Sequence, residues 1–74
     1  MSRLPRVTAR EAMAALRRAG FVLDHTRGSH HYWRRPDGAM ATVPAHAGET
    51  LKPKTLRSIL RQAGLTPGEF VSLL

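Results

Sequence analysis

Apolar residues recur at helical spacing near the start of the chain. The segment Thr8-Ala9-Arg10-Glu11 matches a capping box, in which the Thr8 hydroxyl accepts from the Glu11 amide and the Glu11 carboxylate reaches back to Thr8. The apolar stripe that follows consists of Ala9, Ala12, Met13, Leu16 and Ala19. Gly20 supplies a left-handed stop. The pattern predicts an amphipathic helix of about three turns.

Strand-forming residues replace the helical period after Gly20. Three predicted strands run from Phe21 to His25, from His30 to Arg35 and from Ala39 to Val43. Predicted turns separate them at Thr26 to Ser29 and at Pro36 to Gly38. Because the turns are short, the strands are expected to form an antiparallel meander.

The second half of the chain is predicted to be helical. Ala45 to Thr50 has no usable period and is interpreted as a loop. A helix should begin near Pro53 and end at Gly64. Its apolar stripe consists of Leu56, Ile59, Leu60 and Ala63. Thr66 and Glu69 form a second capping box, which predicts a short helix at the end of the chain.

The predicted order is α-β-β-β-α with a C-terminal helical extension, in a single domain over residues 1–74. Two helices with one apolar stripe each can cover only one face of a three-stranded sheet, which predicts a two-layer α+β domain. The other face should stay open to solvent. Function is expected on that face or at the rim where the loops gather.

The net charge of the chain indicates which kinds of partner it can attract. The chain has 74 residues, 12 Lys and Arg against 5 Asp and Glu, and a formal charge of +7. This balance predicts attraction to polyanions or to an acidic protein, with solvated basic faces as the alternative. The absence of Cys excludes disulfides and thiolate metal sites and fits a cytoplasmic protein. The stretch from Met1 to Arg6 has no apolar run behind it, so neither a signal peptide nor a membrane anchor is expected.

His30 is the leading candidate for chemistry, since it follows the flexible Gly28-Ser29 step at the start of a strand. On that strand His30, Tyr32 and Arg34 share one face while His31 and Trp33 share the other. Alternation alone leaves open which face is buried, and a strand histidine can also be structural. Geometry argues against Ser29 and His30 as a nucleophile pair, because neighbouring strand residues point apart, and no G-x-S-x-G elbow is present. Gly28 and Ser29 are instead expected to let a ligand approach the backbone closely, with a simple tight turn as the alternative.

Three further residues are weaker candidates. His46 follows the end of the third predicted strand and is either a second acid/base group or a surface loop residue. Lys52 and Lys54, near the start of the second long helix, either help to hold a phosphate or are solvated cations. The four histidines lack the spacing of a metal site, so neither a metal nor another cofactor is expected.

Several motifs together resemble the HicA (YcfA-like) family of toxins from bacterial and archaeal toxin–antitoxin systems. They are Gly20-Phe21, Gly28-Ser29-His30, Val43-Pro44 with His46, Leu51-Lys52-Pro53, and the run from Thr55 to Gly64. The resemblance covers almost the whole chain, in order and without large gaps. One departure is Lys54, where many members have Gly.

The resemblance implies a fold similar to double-stranded RNA-binding domains, an mRNA interferase activity and neutralisation by a HicB antitoxin. It implies that His30 is the catalytic histidine, and His46 matches a position where the family often has His. The matching chemistry is a metal-independent cleavage in which His30 takes the proton of an RNA 2′-hydroxyl. The expected proton donor is His46 or Tyr32.

The remaining expectations concern binding. Arg27, Arg34 or Lys54 is expected to stabilise the charge that develops on phosphorus. Candidate RNA-binding residues are Arg27, Gly28, Ser29, Tyr32, Arg34, Lys52 and Lys54. The expected partners are mRNA and an acidic HicB-like protein. Two alternatives stay open: a non-catalytic RNA-binding module and a basic protein-interaction adaptor.

Overall fold

A computed structural model describes residues 4–74 as an α+β protein. Its elements are α1 (Ala9–Arg18), β1 (Val22–Arg27), β2 (His30–Arg34), β3 (Met40–Pro44), α2 (Pro53–Ala63) and α3 (Pro67–Ser72). The strands form one antiparallel sheet in the order β1-β2-β3. The predicted fold class and element order are confirmed. Residues 1–3, part of the stretch for which no signal peptide is expected, lie outside the described residues.

Both capping boxes form. At α1 the amide of Glu11 donates to Thr8 Oγ1 over 3.2 Å, and the amide of Thr8 donates to Glu11 Oε1 over 2.9 Å. At α3 Thr66 and Glu69 repeat the exchange over 3.1 and 2.8 Å. These bonds satisfy amides that a helix start leaves without partners, which is why the chain turns into helices at these residues.

α2 begins and ends as its sequence predicts. Pro53 stands at the first helical position, where its missing N–H costs nothing. Gly64 ends the helix in the left-handed conformation, with φ of +72°. The predicted stripe is the buried face of this helix.

One apolar cluster holds the helices against the sheet. It contains Val7, Ala9, Ala12, Ala15, Leu16, Phe21, Trp33, Ala41, Val43, Leu51, Leu56, Ile59, Leu60, Ala63 and Phe70. Trp33 is 2% exposed, and the Arg17 guanidinium lies 5.4 Å from its ring centroid. β2 contributes Trp33 to this cluster, and β3 contributes Ala41 and Val43. Because these residues share one face of the sheet, the helices cover that face.

The first hairpin is tighter than predicted. The predicted turn from Thr26 to Ser29 is wrong in its extent, because Thr26 and Arg27 continue β1 and pair with His31 and His30. Only Gly28 and Ser29 form the turn. Gly28 has φ of +59°, a conformation that glycine adopts without the penalty of a side chain and that suits a two-residue hairpin loop.

No helix within residues 4–74 is both long enough and apolar enough to cross a membrane.

Candidate active site

The burial of β2 and β3 decides which face of the sheet is free. Trp33, Ala41 and Val43 are buried under the helices. His30 and Arg34 are exposed on the opposite face, with Tyr32 half-buried between them. His30 therefore belongs to the solvent side of the sheet, the choice that alternation alone left open.

Strand register shows which side chains surround His30. Directly opposite His30 are Arg27 on β1 and Pro44 on β3. Tyr32 is likewise flanked by His25 and Thr42. Opposed residues of neighbouring strands share a face, so these side chains form one surface. We call it the open face, and its members used below are His25, Arg27, His30, Tyr32, Arg34, Thr42 and Pro44.

The turn before His30 leaves room for a ligand. A Cβ built on Gly28 would have no neighbouring atom within 4 Å. The carbonyl oxygen of Ser29 accepts a hydrogen bond from the Ala45 amide over 2.7 Å. This bond extends the pairing between β2 and β3 by one step beyond the strands. The backbone at the start of β2 is thus held in place on one side and open to solvent at the turn.

A polar cluster adjoins His30 on the open face. His25 Nδ1 lies 2.7 Å from Asp24 Oδ2, and Arg34 Nε donates to Asp24 Oδ1 over 2.9 Å. The rings of His25 and Tyr32 are stacked, with centroids 4.4 Å apart and planes inclined by 8°. Arg34 and Tyr32 are among the site residues that the sequence predicts, whereas Asp24 and His25 are not.

Asp24 is held ionised by its partners. The hydrogen bond with His25 is the largest cause that lowers the pKa of Asp24 below its ordinary value of 3.8, and the bond from Arg34 lowers it further against partial desolvation. Near neutral pH this carboxylate is therefore an acceptor for both neighbours.

Sequence reasoning missed this cluster for a structural reason. Neighbouring residues on a regular strand point to opposite faces, so Asp24 and His25 are not expected to meet. The register of β1 against β2 shifts between Leu23 and His25, which marks a β-bulge. The adjacent Asp and His were a visible signal, but their contact depends on that irregularity.

Two of the other predicted residues, His46 and Lys52, line a groove. The groove has a volume of about 310 Å³ and is lined by Pro44, His46, Glu49, Thr50, Leu51, Lys52 and Thr55. Lys54 is exposed in the first turn of α2 and is not among the lining residues. Pro44 lies opposite His30 and also lines the groove. The open face and the groove are therefore neighbouring regions that share this proline.

Within residues 4–74, no three or more His, Cys, Asp or Glu side chains are arranged to hold a metal ion. Asp24 instead accepts hydrogen bonds from His25 and from Arg34.

Comparison with known proteins places the chain in a family. The family described as the HicA toxin of bacterial toxin–antitoxin systems matches residues 9–65, which span α1, the whole sheet and α2. The chain belongs to the HicA toxin family. HicA toxins pair with HicB antitoxins and are generally ribonucleases. A comparison with curated protein sequences gave no match.

Proposed function

We propose that this HicA-family toxin is a metal-independent endoribonuclease that cleaves mRNA in the cytoplasm, with His30 as its general base. The observation that carries the proposal is the position of His30, exposed on the open face at the start of β2 and opposite Arg27. An imidazole exchanges protons near neutral pH, which suits it to activating a hydroxyl.

The proposed reaction uses the RNA's own nucleophile. His30 takes the proton of a 2′-hydroxyl, the 2′-oxygen attacks the adjacent phosphorus, and the bond to the 5′-oxygen breaks. Negative charge builds on the non-bridging oxygens during attack, and a preorganised cation stabilises it. Arg27 is suited to this role because it lies opposite His30 and forms no ion pair within residues 4–74.

RNA binding in this proposal uses both regions. Gly28 and Ser29 let a phosphate approach the backbone, and Arg34 is a further candidate contact on the open face, where its Nε also donates to Asp24. Lys52 and Lys54 extend the attraction towards the start of α2. His46, exposed in the groove, is retained as a second acid/base candidate.

We further propose that the HicB-type partner is acidic and covers the open face. The formal charge of +7 steers such a partner by long-range attraction, which salt screens. Raising the ionic strength should slow association far more than it speeds dissociation. A tight inhibitor that left His30 accessible to solvent would contradict this part of the proposal.

Product chemistry tests the reaction. Cleavage of a transcript by purified protein should leave 2′,3′-cyclic phosphate or 3′-phosphate ends together with 5′-hydroxyl ends, and EDTA should have no effect. DNA of the same sequence should resist because it lacks the 2′-hydroxyl. A metal-activated water would usually leave 5′-phosphate ends and stop on chelation. Such ends or EDTA sensitivity, with a His30→Ala preparation silent, would contradict the proposal.

His30→Gln separates the nuclease from a binding module. A nuclease loses nearly all turnover in this variant while retaining RNA affinity. An RNA-binding module would show no cleavage by wild type and only a modest loss of affinity in the variant. A protein-interaction adaptor would bind no RNA at any salt concentration.

A further inference from the structure

We infer that His25 is the general acid that protonates the leaving 5′-oxygen, positioned by Asp24 and Tyr32. The inference rests on the proposed ribonuclease function and deepens it by assigning the second proton transfer. It differs from the sequence-based expectation, which named His46 or Tyr32 for this role.

The β-bulge brings His25 to the open face. Leu23 pairs with Trp33, and in a regular ladder Asp24 would then lie opposite Tyr32. Instead the register shift places His25 opposite Tyr32. Bulges re-aim side chains and are frequent beside active sites. Here the extra residue puts a second imidazole on the same surface as His30.

Asp24 determines which nitrogen of His25 is free. A carboxylate can only accept, and the low pKa of Asp24 keeps it ionised, so the short contact requires a proton on His25 Nδ1. Nε2 then remains to hold or release the catalytic proton. Arg34 binds the other oxygen of Asp24 and so fixes the carboxylate itself.

Tyr32 holds the ring of His25 in a defined plane. The two rings are nearly parallel at 4.4 Å, while the side chain of His25 is still 51% exposed. The imidazole is thus held in one orientation and remains exposed. A group that donates a proton to a bound RNA needs both properties.

The register gives His25 and His30 the spacing of an acid and a base. His30 lies opposite Arg27, and His25 lies two residues before Arg27 on the same strand. Such diagonal neighbours on one face are about 7–8 Å apart at the backbone. A backbone separation of this size would let the two imidazoles reach the same phosphate, with Arg27 on the same surface.

The proton balance is complete with these two groups. His30 accepts the 2′-hydroxyl proton as the 2′-oxygen bonds to phosphorus, and His25 gives its Nε2 proton to the 5′-oxygen as that bond to phosphorus breaks. The products are a 2′,3′-cyclic phosphate and a 5′-hydroxyl. Exchange with water then restores both imidazoles, and no further reactant is needed.

A substrate that needs no acid tests the assignment. A cleavage site is first mapped on a long transcript, and a short RNA spanning it is made with oxygen or with sulfur at the bridging 5′ position. A thiolate leaves without protonation. His25→Ala should cut the oxygen substrate about 10²–10⁴-fold more slowly than wild type and the sulfur substrate at nearly the wild-type rate.

Three variants sharpen the test. His25→Gln, which keeps a polar side chain at the edge strand, should repeat the pattern if His25→Ala folds poorly. Asp24→Asn should lose part of the rate on the oxygen substrate and recover it on the sulfur substrate, as expected of a positioning residue. His46→Ala is the matched loop histidine and should cut both substrates at similar fractions of the wild-type rate.

The outcomes separate this inference from the function on which it rests. Equal slowing of His25→Ala on both substrates, no slowing on either, or selective sulfur rescue of His46→Ala would overturn the role of His25. If wild type cuts both RNAs and His30→Ala cuts neither, the nuclease proposal survives that result. Wild-type protein that cuts neither substrate would overturn both proposals.

Discussion

The two faces of β2 differ in burial: one packs into the apolar core, and the other carries the residues that we propose for catalysis. On one face Trp33 is 2% exposed and packs with Ala41 and Val43 beneath the helices. On the other face, His30 and Arg34 are exposed to solvent. Arg34 there binds Asp24, and the rings of His25 and Tyr32 stack. Because successive strand residues alternate, a strand of five residues serves both purposes. Substitution of the exposed His30 should therefore leave the stability of the fold nearly unchanged.

The adjacent histidines give the strongest test of this division. His30→Ala should reduce RNA cleavage about 10²–10⁴-fold by removing the proposed base. Its free energy of unfolding should change by less than about 0.5 kcal/mol because the side chain is exposed. Cleavage assays and urea unfolding on the same preparation measure both quantities.

His31→Ala is the control for that pair. His31 is half-buried on the opposite face, where its Nδ1 lies 3.3 Å from the Ser29 carbonyl oxygen. The variant should lose about 1 kcal/mol of stability and keep its cleavage rate within a few-fold of wild type. A larger loss of cleavage in His31→Ala than in His30→Ala would break the comparison.

Trp33→Ala tests the covered face. Removing this buried ring should destabilise the fold by about 3–5 kcal/mol, measured by urea or thermal unfolding. Trp33→Phe is the matched variant, since it keeps an aromatic ring and removes an Nε1 that has no hydrogen-bond partner within residues 4–74. It should cost clearly less than Trp33→Ala because it leaves a smaller cavity. Equal losses in the two variants would show that packing at this position is not the cause.

Arg27→Gln tests the charge of the open face. The variant should bind RNA more weakly, and the slope of log affinity against log salt should fall by about 1, the value for one phosphate contact. Arg61→Gln, in the last turn of α2, is the matched loss of one positive charge. It should leave that slope nearly unchanged. Identical slopes for the two variants would mean that net charge alone, rather than the open face, attracts RNA.

The smallest expected effect is the loss of fold stability at acid pH that is due to Asp24. The pKa of Asp24 is lowered in the native state, so its bonds with His25 and Arg34 stabilise the fold above its ordinary pKa of 3.8. That contribution is lost as the pH falls below 3.8 through the lower native value. The melting temperatures of wild type and Asp24→Asn should therefore differ most above pH 4 and converge below it.

The comparison with Asp24→Asn is needed because other carboxyls respond to acid in the same direction. The pKa of Asp37 is lowered chiefly by the hydrogen bond from Arg35, and that of Glu69 by the Thr66 amide. Wild type as a whole should lose stability in acid through all three groups. A difference between wild type and Asp24→Asn that stayed constant down to pH 2 would contradict the assignment to Asp24.

Local signals in the sequence predicted most of the fold. The two capping boxes, Pro53 and Gly64 define helix ends through bonds and backbone angles that involve only nearby residues. The turn of the first hairpin is shorter than predicted, but the prediction that its two strands are antiparallel is confirmed. Short-range chemistry of this kind is visible in a sequence because its partners are three or four residues apart.

The candidate site was predicted only in part. Sequence alone singled out His30 and its neighbours on β2, and it determined the basic charge and the helical stripes. Tertiary structure decided which face of β2 is open, because that depends on where the helices pack. It also decided that Asp24 and His25 meet beside Tyr32, because this depends on one register shift between two strands. A shift of one residue changes the face on which a side chain lies, and only the pairing of distant segments determines it.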